Sequence, residues 1–133
     1  MSVHATHYVV YGVAITDEKK VKDFFALEES HDDLLHDEYY DNPYKEEITP
    51  TKSGIHIIVD GMNSGYVVIG KIIAKGLENG LEFTKVPLPY KKQTKIEGTL
   101  GSGLLRTIID LDKILGTKFR NLTLQYLVFT HWH

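Results

Sequence analysis

The chain has 133 residues, with 15 Lys and Arg against 18 Asp and Glu, seven His, 42% hydrophobic residues and no Cys. A chain of this size makes one domain and buries roughly two-thirds of its unfolded surface. Without Cys there is no disulfide framework, thiol nucleophile or iron–sulfur cluster, and any metal would need His and carboxylate ligands.

Residues 7–15 are dense in β-branched and aromatic side chains and predict a first strand. Thr16 or Asp17 can then cap a helix in which Val21, Phe24, Phe25 and Leu27 share a face, ending near Ser30. Residues 28–47 carry nine acidic side chains and one basic one, a net charge of -8, so the remainder of the chain stands at +5. The turn chemistry of Asp41-Asn42-Pro43-Tyr44, then Pro50 and Ser53-Gly54, closes residues 28–54 as an acidic, partly irregular insertion.

Two apolar runs, 55–59 and 66–74, flank the polar loop 60–65 and predict a hairpin. Residues 76–101 form a long connection with two prolines, the basic residues Lys91, Lys92 and Lys95, and a short strand at 81–86. Leu104, Leu105, Ile108, Ile109, Leu111, Ile114 and Leu115 give a helical stripe, opened by Ser102 and closed by Gly116. Residues 122–130 are the last strand. The order strand, helix, strand, strand, helix, strand predicts an α+β protein of the ferredoxin-like βαββαβ type. In that fold two helices cover one face of an antiparallel sheet of order 4-1-3-2.

A candidate ligand site lies where the Gly-rich segment enters the second helix. Backbone amides freed by glycine and the positive end of a helix suit a phosphate or carboxylate, and Lys95, Thr99, Gly101, Ser102, Gly103 and Arg106 would hold it. The segment lacks the Gly-Lys-Ser/Thr ending of a phosphate-binding P-loop. A second candidate surface is the acidic insertion, where Asp32, Asp33, Asp37 and Glu38 with Tyr39 and Tyr40 would meet a protein partner; Tyr44 is a further interface candidate. Tyr8, Tyr11, Tyr66 and Tyr126 read as packing residues on strands.

The histidines offer two metal readings. Asp32 and His36 stand one helical turn apart beside His31, while His4, His7, His131 and His133 gather at the chain ends. The first set reads as part of a solvated acidic segment and the second as exposed terminal residues, so neither a metal nor a cofactor is expected. No Ser sits in a nucleophile elbow, and the net charge disfavours nucleic acid as a partner.

The hairpin sequence of residues 60–75, together with Tyr8-Val-Val-Tyr-Gly-Val13, resembles small uncharacterised accessory proteins of tailed bacteriophages over about a quarter of the chain. The resemblance implies action by binding, often against host machinery or defence systems, and assigns no residue a role. The expected protein is therefore a non-enzymatic, homo-oligomeric binding protein of the host cytoplasm. It would sequester a small nucleotide-like anion or block a host partner; a metal-dependent hydrolase and a virion assembly protein are the alternatives. The opening residues have no basic start followed by an apolar run, and no window reaches the ~20 apolar residues of a membrane span.

Overall fold

A computed structural model describes residues 3–31, 35, 38–77 and 94–133, with 94–102 described by their backbone alone. Four strands, β1 (Ala5–Ile15), β2 (His56–Val59), β3 (Val67–Leu77) and β4 (Gln125–Trp132), alternate with helices α1 (Glu18–Ser30) and α2 (Thr94–Leu115). The sheet is antiparallel throughout with the order β2-β3-β1-β4, which is 4-1-3-2 from the other edge. Among the described residues the chain is thus α+β, with an open four-stranded sheet and two helices.

Period-two alternation on β1 divides the core. Tyr11, Val13 and Ile15 point to one face, where they meet Val21 and Phe24 of α1, Ile57, Val67 and Ile69 of the hairpin, and Leu104, Ile108, Leu111 and Leu115 of α2. Both helices therefore share one core with the first face. Tyr8 and Val10 point the other way, packing with Ile58, Val68 and Ile72 and with the half-buried Tyr66, Leu127 and Phe129.

That second face is concave. Val67 pairs with Ile15, whereas His131 pairs with Thr6, nine residues away along β1. A straight strand would separate such positions by about 30 Å. Yet the ring of Tyr66, next to Val67, lies 5.7 Å from Phe129 and 6.1 Å from His131 between centroids. The sheet must curl strongly to bring them together. The opposed pair Gly12 and Gly70 marks the place: a methyl group on Gly12 would run into the Ile69 carbonyl oxygen and sit 2.6 Å from Gly70 Cα. Only residues without Cβ allow the two strands to approach this closely. A register shift between Val9 and Val10 adds a bulge beside the bend.

Local chemistry sets the ends of the elements. Asp17 caps α1 through its carboxylate and the Lys20 amide at 3.3 Å. Gly116, at φ 71°, ends α2 by donating its amide to the Asp112 carbonyl at 2.7 Å. The Asp112 carboxylate, fully buried, accepts from Thr117 Oγ1 at 2.6 Å and from the amides of Phe119 and Arg120 at 2.9 and 3.1 Å, ordering the 3-10 turn Phe119–Asn121. Asp60 does the same for the hairpin loop, accepting from the amides of Met62, Asn63 and Gly65.

The second helix corrects the sequence reading. It begins at Thr94, so residues 98–103 lie within it and Ser102 is not its cap. The apolar stripe that starts at Leu104 marks where α2 meets the core, which is a different position from where its backbone ladder starts. The strand expected at 81–86 falls outside the described residues.

Candidate functional site

Polar side chains accumulate on the concave face. Thr6 and Tyr8 project there from β1; register places Lys75 of β3 and Phe129 of β4 beside Tyr8, and His131 beside Thr6. After Tyr40, which bridges to Ile57, the chain carries Asp41 to this face. Asp41 Oδ2 accepts from the Tyr8 hydroxyl at 2.9 Å and from Lys75 Nζ at 2.5 Å, while Oδ1 accepts from the Thr49 amide at 2.8 Å. Lys75 also donates to the Asn42 carbonyl at 2.7 Å and stands 5.7 Å from the centre of the Tyr8 ring.

A second group adjoins the first. The Tyr66 hydroxyl and His131 Nδ1 are 2.7 Å apart, the rings of His131 and His133 stack at 5.4 Å, and Tyr44 meets His133 edge-on at 4.6 Å. Thr6 Oγ1 donates to the Pro43 carbonyl at 2.8 Å and lies 2.8 Å from His133 Nε2. A hydroxyl has one proton to give, so His133 Nε2 must supply the proton in the second bond. His4 pairs its backbone with His133, at 2.8 and 2.9 Å.

The electrostatics follow from burial. Burial alone would raise the Asp41 carboxyl, but hydrogen bonds from Lys75, Thr49 and Tyr8 and the charge of Lys75 outweigh it and hold the group below the usual carboxylate range. Burial, helped by His133, pushes His131 down to about 4. Burial beside Asp60 pushes the Tyr66 hydroxyl up to about 12, and burial beside Asp41 raises that of Tyr8 further. The side chains of Asp41 and Lys75 are each 1% exposed and Tyr8 is 2% exposed. Groups so enclosed cannot reach a reactant; the cluster is a clamp that fastens residues 41–49 over the sheet.

Of the four terminal histidines, His4 and His7 are exposed, as their position suggested, whereas His131 is buried and His133 half-buried, because the curl of the sheet covers the end of β4. Among the described residues no group of three or more His, Cys, Asp or Glu is arranged to hold a metal ion. Of the first metal set, His31 Nδ1 lies 3.0 Å from the Leu27 carbonyl, while Asp32 and His36 lie outside the described residues.

The two candidate binding sets fare differently. Tyr39 is 4% exposed and belongs to the core under the helices, so it is not a surface contact residue; Tyr40 is half-buried with its hydroxyl bonded to Glu28. Glu38 is partly buried, with its carbonyl accepting from Ser53 Oγ at 3.1 Å, and Asp32, Asp33 and Asp37 lie outside the described residues. Tyr44 is 64% exposed. In the Gly-rich set the side chains of Lys95, Thr99 and Ser102 fall outside the described ones, as does the surface of Gly101; Gly103 and Arg106 are exposed on α2. Amides inside a helix are committed to carbonyls one turn back, so the helix-entry argument for an anion no longer applies to residues 98–103. Gly103 does border an open cleft of about 290 Å³ with Lys71, Ser53 and Thr107.

Two surface features had no clear signature in the sequence. One is β4, the outer strand beside β1: it has no charged residue, and Val128 and Trp132 are 75% and 50% exposed. The other is a groove of about 280 Å³ between α1 and the turn after α2. Comparison with protein-family models, curated proteins and solved structures finds no match for the chain.

Proposed function

We propose that the chain is a non-enzymatic binding protein, acting as phage accessory proteins do against a host defence or regulatory factor, and that its protein partner adds a strand to the outer edge of β4. The place of β4 at the end of the sheet among the described residues, with the exposure of Val128, carries the reading. Sheet edges are ordinarily guarded by Lys, Pro or a bulge, because unpaired strand amides and carbonyls invite another strand. β4 has eight residues without Lys or Pro, and Val128, the most exposed large hydrophobic residue described, lies at its middle. Backbone pairing would supply affinity and the side chains at alternate positions would supply selectivity. The titratable groups of the concave face, enclosed and mutually paired, support binding over catalysis.

A photo-reactive residue in place of Val128 tests this in extract of the source cells, with the same residue in place of exposed Glu29 as control. Cross-linking of one protein at 128 alone, with an extended segment of it at the cross-link, is the expected result. Identical products at both positions would remove the reading. The homo-oligomer expected from the sequence would use the same edge, and light scattering at rising concentration should then show a mass increase that Val128→Lys abolishes.

The fold reading that goes with this proposal is a ferredoxin-like sandwich with one addition. Element order and a common core for both helices support it; the addition is the segment 41–49 laid over the opposite face. Sequestration of a small anion remains a second reading because the cleft beside Gly103 contains Lys71. Calorimetry with a nucleotide panel should then show binding that Lys71→Ala and Arg106→Ala weaken, and unchanged affinity in both variants would dismiss it.

A further inference from the structure

The groove between α1 and the end of α2 has an unusual lining for a surface hollow. Its floor is the edge of the main core, formed by Ile15, Phe24 and Phe119, of which none exceeds 8% exposure, and half-buried Leu27 and Leu122 continue it outwards. The two phenyl rings lie 5.9 Å apart between centroids. Lys20 stands at the rim from α1 and Lys118 from the turn, and neither is in a salt bridge among the described residues. Asp23, one turn along α1 from Lys20, also borders the groove.

The hollow, of about 280 Å³, is open to solvent on one side and can hold several water molecules. Water over an aromatic floor makes few hydrogen bonds, so an apolar group displaces it favourably. The long stems of Lys20 and Lys118 can follow that group while their ammonium groups stay at the mouth. Two cations against one carboxylate leave a net single positive charge at the rim. A monoanion fits that balance, and a dianion would meet Asp23.

We propose that this groove binds a small amphipathic monoanion: an apolar ring or branched chain bearing one carboxylate or sulfonate. The apolar part rests on half-buried Leu27 and Leu122 and the accessible edge of Phe119, with Phe24 beneath them, and the anionic head lies between Lys20 and Lys118. The site is on a different element pair from the β4 edge, so it stands or falls separately from the partner reading.

The probe is 8-anilinonaphthalene-1-sulfonate, with its uncharged relative N-phenyl-1-naphthylamine as the charge control, added to folded protein whose near-ultraviolet circular dichroism is native. One saturable site with blue-shifted emission is expected. Lys20→Gln with Lys118→Gln should weaken the sulfonate about fivefold to tenfold, the loss expected of two partly exposed ion pairs, and leave the uncharged probe unchanged. Asp23→Asn should tighten the sulfonate, and Leu122→Trp, which fills the groove, should weaken both probes. Unsaturable binding, or sulfonate affinity that ignores the lysine pair, overturns the proposal; so does a lysine-pair variant that loses both probes equally. If Leu122→Trp does not fold, the lysine pair and Asp23→Asn decide the matter, since both lie on the exposed surface.

Discussion

At Lys75 an ammonium group lies on the concave face with 1% of its side chain exposed, and Asp41 is the carboxylate that neutralises it. Removing one partner of such a pair leaves a buried charge uncompensated, so Lys75→Met should cost about 3–5 kcal/mol in urea denaturation. Asp41→Asn in the same chain should recover part of that loss, because no ion is then left without its counterion. His131 adds a pH dependence of known sign. Its folded value, about 4, lies below the 6.5 of a free imidazole, so its contribution is present above pH 6.5 and is lost as pH falls towards 4. Asp41, also lowered, acts in the same direction at more acidic pH. The urea midpoint should therefore fall between pH 7 and 4, and His131→Gln should flatten that fall. Tyr8 and Tyr11 proved to be buried packing residues, as their strand positions suggested. The Asp41 to Lys75 pair was not legible, because its members stand 34 positions apart and only the packing of residues 41–49 on the sheet brings them together.

Among the elements, β1 and β3 depend on the opposition of Gly12 and Gly70. Gly12→Ala should destabilise the protein by about 1–3 kcal/mol or more, since the obstruction is backbone and cannot swing aside. Gly76→Ala is the matched control on β3: nothing lies within 4 Å of the added methyl, and the change should be neutral or stabilise by about 0.4–1 kcal/mol. Asp112 has the corresponding place at the end of α2. Asp112→Ala would leave the Phe119 and Arg120 amides short of an acceptor, at about 1–3 kcal/mol for each one that stays buried. It should also loosen the Thr117 to Phe119 wall of the groove and weaken anilinonaphthalene sulfonate binding, read by the same fluorescence titration. The start of α2 was misplaced in the sequence because an apolar stripe records contact with the core; a helix can run on for turns beyond it.

For the molecule as a whole, the curl gives the sheet two unlike faces. Helices and aliphatic side chains cover the convex side, while residues 41–49, tied down at Thr6, Lys75 and His56, cover part of the concave side. Val128→Lys places a charge on an exposed position of the outer strand, so it should change stability by less than about 0.5 kcal/mol while abolishing the concentration-dependent mass increase seen by light scattering. Among the described residues no helix is long and apolar enough to cross a membrane. The order of the described strands and helices, the hairpin, a cap at Thr16 or Asp17 and the Gly116 stop were determined by sequence alone, because alternation, helical spacing and capping chemistry act over a few neighbouring residues. Tertiary structure decided the rest: the curl at Gly12 and Gly70, the burial of His131, the inward turn of Tyr39, and the groove between α1 and the Phe119 turn. Each of these depends on which distant backbones approach one another, and no local pattern of side chains encodes that distance.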